Sequence, residues 1–328
     1  MNTTGCIKFL KNMAGNSIKK SNLADLSISA CLNSAKIDPL DAELLIARVL
    51  NKPRGWVLAN PEARIKSCRD AKSCVCTKFI KLVNQRAAGV PLAYLTGHKE
   101  FFGLDFEVNE NVLVPRPDTE ILVEEVLSFI IYNSSDSKKQ ITDNKPIVLI
   151  DVGTGSGCIP IAIAKHIRQS GLSGNLDSII AVDISKQALI IAKRNAKKHH
   201  VKIKFIQGNL FDPLTHDRSL ITDHRSLIIT ANLPYLTNKQ YKNSPSIQHE
   251  PKLALVAKNN GLALYKKLLK QIKNVTCYVS HVTCFMEIDP SQSTPITRLI
   301  KSILPTANVQ IIKDLAGLDR IVKVCYTI

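Results

Sequence analysis

Apolar and polar positions change their period along this chain, and the changes mark its parts. Residues 1–20 are polar, lysine-bearing and without a clear period, and read as an extension. From Asn22 the apolar residues recur at helical spacing. Asp38-Pro39 predicts a helix start, a side-chain cap followed by a first-turn proline, with Leu40, Leu44 and Leu45 on one face. Val75, Phe79, Leu82 and Val83 repeat the spacing on a later helix. Residues 21–88 are therefore expected to form a small all-helical domain. It carries no cluster of ionisable residues, so docking is its expected role rather than catalysis. Residues 89–97 and 100–108 read as turns and short strands, a hairpin within 89–111 that joins this domain to residues 112–328. Pro115 and Pro117 stiffen the backbone around Arg116, and Asp118 is placed to cap a helix over 119–131. Residues 132–144 are polar and serine- and lysine-rich, as in a surface loop.

From Ile147 onward, short apolar runs alternate with helical patterns. Strands are expected at 147–150, 178–183, 202–207, 227–231, within 277–288, at 309–313 and at 320–325. Helices are expected from 158, over 187–198 and over 262–273. This alternation predicts an α/β fold with a doubly wound, mainly parallel seven-stranded sheet covered by helices on both faces. The first strand is an unbroken apolar run, as for a strand buried on both sides. It ends at Asp151, and Gly153, Gly155 and Gly157 follow at alternate positions. A helix then opens at Cys158, with Pro160 in its first turn where a missing N–H is tolerated. Glycine lets a ligand approach the backbone, and the helix start offers free N–H groups. Ligands of such sheets bind at the carboxyl ends of the strands, where Asp151, Asp183, Asn209 and Asn232 all stand. A carboxylate at Asp183 can accept both hydroxyl hydrogens of a ribose, or cap the next helix in competition with Ser185. Asn209 also suits a plain turn.

Composition narrows the class. The 328 residues leave room for two domains. A net charge of +17 fits an acidic partner, protein or nucleic acid, and equally a solvated lysine-rich surface. No stretch approaches the ~18–20 apolar residues of a membrane helix. Residues 1–20 lack the apolar core of a secretory signal and the arginines of a mitochondrial presequence. The nine cysteines are scattered, and Cys74-Val-Cys76 with Cys68 nearby lacks C-x-x-C spacing. Reduced structural thiols, a cytoplasmic protein and no metal site are expected.

Two stretches carry chemistry. Asp151-x-Gly153-x-Gly155-x-Gly157 is tighter than a dinucleotide G-x-G-x-x-G and resembles the first motif of class I S-adenosylmethionine methyltransferases. Asn232-Leu233-Pro234-Tyr235 resembles the (Asn/Asp/Ser)-x-Pro-(Tyr/Phe) motif of enzymes that methylate planar amide or amino nitrogens. Such a nitrogen is a poor nucleophile because its lone pair is delocalised. Two acceptors facing its two N–H groups orient it and draw density back to nitrogen. Asn232 Oδ1 can be one acceptor and the Leu233 carbonyl the other. Pro234 holds the turn rigid, and Tyr235 can pack on the target's π-face.

Further stretches follow in order: Arg86 to Tyr94, Gly97, Glu100-Phe-Phe-Gly103, Val114-Pro-Arg-Pro-Asp-Thr-Glu120, Glu250-Pro251, Ala254-Leu255, Gly261-Leu262, Tyr265 and Asp314-Leu-Ala-Gly-Leu-Asp-Arg320. With them, residues 22–326 resemble the protein-(glutamine-N5) methyltransferases of peptide chain release factors. The resemblance implies methyl transfer from S-adenosylmethionine, leaving S-adenosylhomocysteine, to the glutamine of the Gly-Gly-Gln loop of class 1 release factors. It implies cofactor contacts from Gly153, Thr154, Gly155, Ser156, Gly157, Asp183, Asn209, Leu210 and Asn232. The catalytic group would be Asn232, Leu233, Pro234 and Tyr235. Asn209 and the Leu210 N–H would meet the adenine. A monomer is expected, with no membrane and no obligatory nucleic acid.

Three residues depart from the family pattern: Leu233 for proline, Asn209 for an acid, and Asp289 for glycine. Two other readings compete. One is a methyltransferase for a ribosomal-protein glutamine or a nucleic-acid amino group, which the charge favours and the lack of an RNA-binding module opposes. The other is a non-catalytic protein that binds the cofactor or a translation factor, which the intact Asn232-Leu-Pro-Tyr235 opposes.

Overall fold

A computed structural model describes residues 25–66, 75–135, 147–171, 176–216, 226–275, 279 and 281–327. Residues 1–20 and most of the serine- and lysine-rich segment 132–144 lie outside that set, as do Cys68 and Cys74. The chain divides after Gly97 into two units. The first holds β1 (Asp25–Ser27), α1 (Ile28–Ser34), α2 (Pro39–Leu50), α3 (Arg54–Ala59), β2 (Arg64–Lys66), α4 (Val75–Ala87) and α5 (Leu92–Thr96). Asp38 caps α2, its Oδ1 accepting from the Leu40 N–H at 2.9 Å. The buried face of α2 is Ala42, Leu45, Ile46 and Ala47, whereas Leu40 is 48% exposed. At about 100° per residue, Leu40 lies on the opposite side of the helix from Ala42, Leu45 and Ile46, so it cannot share their face. On α4, Phe79, Ile80 and Val83 are buried, and Arg86 Nε pairs with Asp41 Oδ2 of α2 at 2.6 Å. β1 and β2 pair antiparallel, so this unit is helical with one short strand pair rather than all-helical. Three-residue strands are too short to leave a period in the sequence.

A second difference falls at the expected hairpin. Residues 92–96 are helical, because Pro91 opens and Gly97 (φ +80°) closes a short helix. The hairpin is confined to β3 (His98–Phe101) and β4 (Leu104–Glu107), with a two-residue turn at Phe102-Gly103. Both turn residues have positive φ, +52° and +72°, as such tight turns require. The hairpin is an integral part of the second unit: Phe101 and Phe106 are buried in its core.

The second unit continues with α6 (Glu120–Ser135), β5 (Ile147–Val152), α7 (Cys158–Gln169), β6 (Leu176–Asp183), α8 (Lys186–Lys198), β7 (Lys204–Gln207) and α9 (Asp212–His216). Then come β8 (Ser226–Ala231), α10 (Asn238–Lys242), α11 (Ala263–Val275), β9 (His281–Glu287), α12 (Ser293–Ile303), β10 (Asn308–Lys313) and β11 (Asp319–Thr327). A 3-10 turn at Pro117–Thr119 precedes α6, and Asp118, within that turn, pairs with Arg320 (3.2 Å).

The seven-stranded sheet has the order β10-β11-β9-β8-β5-β6-β7. β7, β6, β5, β8 and β9 run parallel, and β11 and β10 are antiparallel. Every residue of β5 is buried. Val148, Ile150 and Val152 pack into one helical layer, with Leu268, Ile272 and Ile300. Ile147 and Leu149 pack into the other, with Leu122, Val126 and Ile163. The two-residue alternation of a strand thus supplies both layers at once. Strand order reverses between β5 and β8, and the crevice outside such a reversal, at the carboxyl ends, is where a ligand fits.

Candidate active site

At that crevice lies a cavity of about 180 Å³, lined by Gly153, Gly155, Asp183, Asn209, Leu210, Asn232, Leu233 and Pro234 among others. The Gly153 and Thr154 N–H groups both donate to Val182 O, at 2.8 and 3.1 Å, which bends the chain back over the end of β6. Gly155 stands at φ +54° with no atom within 4 Å of where a Cβ would be, so its backbone faces open space. Its N–H donates to Asp183 Oδ2 at 2.8 Å, and Ser185 N–H donates to Asp183 Oδ1 at 2.8 Å. The carboxylate is therefore held between the glycine loop and the start of α8, with further lone pairs on each oxygen. Burial raises the Asp183 pKa, and the Ser185 and Gly155 N–H groups oppose that shift. Ser185 caps α8 by accepting from Ala188 N–H (3.1 Å).

Thr154, Ser156 and Gly157 do not line the cavity. Thr154 and Ser156 are buried, and Gly157 is the N-cap residue of α7. Asn195, fully buried on α8, donates to Ser156 O (2.9 Å) and exchanges bonds with the Glu107 backbone, tying the glycine loop to the hairpin. Asp151 lies beneath the loop, where its Oδ1 accepts from the Thr230 hydroxyl at 2.7 Å. Burial pushes its carboxyl up to about 6. Asn209 is exposed at the rim, whereas the Leu210 side chain is buried and its φ is +57°. The expected cavity wall also gains Asn111, Ile184 and Leu253, residues without a signal of their own in the sequence.

A narrower cleft of about 40 Å³ shares Leu113, Asn232, Leu233 and Ala254 with the cavity and adds Arg116, Tyr235 and Glu287. Asn232 follows β8. Its Nδ2 donates to Thr119 Oγ1 (3.1 Å) and to Glu287 Oε2 (2.9 Å). A carboxylate only accepts, so the nitrogen end of the carboxamide must be the end facing Glu287. Both hydrogens are then used, and Oδ1 remains as an acceptor. The Leu233 N–H donates to Tyr265 Oη (3.3 Å), which in turn donates to the Glu287 main-chain oxygen. The Leu233 carbonyl accepts no hydrogen bond among the described residues. Tyr235 Oη approaches Glu287 Oε1 at 3.4 Å. Glu287 is buried at the end of β9, and burial pushes its carboxyl up to about 7, against the Thr119 hydroxyl and the Arg320 charge. Arg116 is held by Glu250, which also accepts from the Val114 N–H at 3.0 Å.

No local motif assigns Thr119 or Glu287 a part in the site. Glu287 did carry the signal that picks out Asp183, an acid closing a buried strand. Two of the departures, Leu233 and Asp289, are accommodated. Leu233 is buried, with Cδ2 2.9 Å from the Cβ position of Gly153. Asp289 needs no glycine conformation: at φ −69° it caps the 3-10 turn Pro290–Gln292, accepting from Ser291 N–H at 2.9 Å. Gln292 then donates through Nε2 to Tyr235 O (3.1 Å) and Asn260 O (2.8 Å). Gly261 lies against the same place, at φ +83°, and a Cβ there would come within 1.9 Å of Tyr235 O. Gly261→Ala is therefore expected to cost about 3 kcal/mol or more and to displace Tyr235. Thermal melting and turnover measure this, and wild-type values for both would remove the constraint.

Residues 27–97 match the family model described as PrmC N-terminal domain, and residues 143–298 match one described as Methyltransferase domain. The release factor glutamine methyltransferase of Bacillus anthracis is 31% identical over 282 residues, covering 85% of this chain and 90% of the relative. That of Nitratidesulfovibrio vulgaris is 31% identical over 298 residues, covering 89% and 90%. That of Enterococcus faecalis is 34% identical over 233 residues, covering 70% and 74%. Identity at this level over 70–90% of each chain, on a methyltransferase sheet with the Asn232–Tyr235 turn at its switch point, means that the chain belongs to the release factor glutamine methyltransferase family.

Proposed function

We propose that this protein transfers a methyl group from S-adenosylmethionine to the side-chain amide nitrogen of the glutamine in the Gly-Gly-Gln motif of class 1 release factors. The observation that carries the reading is the Asn232 carboxamide, which stands on the wall common to cavity and cleft with its nitrogen consumed by Thr119 and Glu287. The larger cavity suits the cofactor: a fixed carboxylate at Asp183 for the ribose hydroxyls, open space before the Gly155 backbone, and Asn209 and Leu210 for the adenine. Bound there, S-adenosylmethionine supplies an electrophilic methyl group on a sulfonium. In the cleft, Asn232 Oδ1 and the Leu233 carbonyl accept from the two N–H groups of the substrate amide. These bonds orient N5 and strengthen as it gains positive charge. Pro234 keeps the turn rigid, and the Tyr235 ring packs on the amide plane. Methyl transfer would break the methyl–sulfur bond as the N5–carbon bond forms, leaving S-adenosylhomocysteine, and one N5 proton would pass to solvent. Thr154, Ser156 and Gly157 act through the shape of the loop rather than by touching the ligand.

The helical unit is assigned to docking of the intact factor. Leu40 and Leu58 are exposed apolar side chains on it, each at 48%. Leu40→Asp with Leu58→Asp is expected to raise KM for the intact factor about tenfold and to leave a Gly-Gly-Gln peptide unaffected. Equal KM changes for both substrates would reject the assignment. We place the enzyme in the cytoplasm as a monomer acting without nucleic acid or membrane; among the described residues no helix is long and apolar enough to cross a membrane. Labelled S-adenosylmethionine offered with a release factor, a ribosomal protein and RNA, followed by mass mapping, tests the function. Label on the Gly-Gly-Gln glutamine is expected. Label on ribosomal protein or RNA alone would overturn it.

A further inference from the structure

We propose that Glu287, assisted by Thr119, is the positioning residue that fixes which end of the Asn232 carboxamide faces the substrate, and thereby makes the site select a primary amide over a carboxylate. The inference rests on the function proposed above and concerns residues outside the Asn-Leu-Pro-Tyr turn.

A carboxamide is nearly symmetric in shape. Turned by half a revolution, Asn232 would fill the same space and offer NH₂ instead of oxygen. The turned form would repel a glutamine N–H and welcome the oxygens of a glutamate side chain. Something must therefore choose between the two. Thr119 cannot choose, because a hydroxyl both donates and accepts. The Glu287 carboxylate can, because it only accepts, and it lies 2.9 Å from Asn232 Nδ2. In the turned form, two oxygens would face each other in a buried place and both N–H···O bonds would be lost. Tyr235 Oη reaches the second Glu287 oxygen at 3.4 Å, so one carboxylate holds both side chains that flank the substrate amide. The Tyr265 hydroxyl fixes the Glu287 backbone and the Leu233 N–H, and with them the second acceptor.

Among the described residues, Arg320, Asp118, Asp289 and Arg116 are the charged groups about Glu287. Arg320 on β11 favours the carboxylate and is itself held by Asp314 (2.9 Å) and Asp118 (3.2 Å). Asp118 opposes it, Asp289 follows two residues on, and Arg116 lines the same cleft. Burial outweighs these and brings the carboxyl to about 7. A protonated carboxyl can donate, and donation to Asn232 Oδ1 would stabilise the turned form. The lock on the productive orientation is thus complete above about pH 7 and weakens as pH falls through it, because a protonated carboxyl keeps one accepting oxygen.

The test uses the full chain with S-adenosylmethionine and paired Gly-Gly-Gln and Gly-Gly-Glu peptides. Wild type, Glu287→Gln, Thr119→Val and Thr119→Ser are compared. A glutamine at 287 still accepts through one of its two ends, so the lock is weakened, not abolished. For Glu287→Gln, kcat is expected to fall about 10–100-fold, with KM changing much less. Its kcat should lose the acidic limb expected of wild type near pH 7, and the Gly-Gly-Glu peptide should inhibit it at lower concentration. Thr119→Val should lose less and keep the limb, and Thr119→Ser should restore turnover. Cofactor affinity by calorimetry should stay at the wild-type value in all three. Wild-type kcat, pH limb and peptide selectivity in a folded Glu287→Gln would overturn the proposal. Should that variant fail to fold, the wild type decides: a kcat without an acidic limb near pH 7, and inhibition by the Gly-Gly-Glu peptide that does not strengthen as pH falls through it, would overturn the proposal as well. A wild-type enzyme that labels no glutamine would instead remove the proposed function on which the inference stands.

Discussion

Asn232→Ala is expected to lower kcat for release factor methylation by about 10²–10³-fold, the cost of one preorganised polar group in an active site. Alanine leaves one N–H of the substrate amide unpaired where water is excluded. The missing acceptor matters most as N5 gains charge, so the loss belongs to kcat. The fold should survive. Glu287 and Thr119 lose a shared donor, which costs about 1–3 kcal/mol of stability for a buried acceptor left short. Asn232→Asp is the harsher of the two near Glu287. It replaces a donor 2.9 Å from one carboxylate by a second carboxylate, and like charges that close cannot both remain ionised. Its activity should therefore depend steeply on pH, while Asn232→Ala should not. Turnover of Asn232→Ala at the wild-type rate would refute the chemical assignment.

Asp183→Ala is expected to weaken S-adenosylmethionine binding by about 10²–10⁴-fold, since two hydrogen bonds to a charged acceptor are worth roughly 1.5–3 kcal/mol each. The structure adds a second reason. Asp183 also anchors the Gly155 and Ser185 N–H groups, so alanine frees the glycine loop and the start of α8 together. Asp183→Asn should lie between, because its oxygen can serve one of those N–H groups while its NH₂ cannot serve the other. Titration calorimetry with a folded variant gives the answer, and unchanged affinity would take Asp183 out of the cofactor site.

Of the helical unit, the sequence by itself determined the cap at Asp38 and the buried Phe79 and Val83, because those signals are local. It misplaced Leu40, which at about 100° per residue stands across the helix from the buried Ala42, Leu45 and Ile46. It extended the hairpin back to residue 89, because Pro91 and Gly97 punctuate a turn and a short helix in the same way. The strand-and-helix alternation from Ile147, the buried run of β5 and the glycine loop were all legible. Each depends on a period or a spacing within a few residues, and strand alternation followed by helices leaves one handed way to wind the sheet. Asp183 and Asn232 were legible as strand-end residues for the same reason. The tertiary structure alone decided what holds them. Asn232 meets Thr119 from 113 positions earlier and Glu287 from 55 positions later, across three elements whose register no local pattern records. Asp289 looked like a defect in sequence and is a cap in space, because its carboxylate accepts from the Ser291 N–H while Gln292 Oε1 accepts from the Asp289 N–H. Residue types along the chain fix what a site can do; which oxygen of which side chain faces the substrate is fixed by partners that only folding brings within about 3 Å.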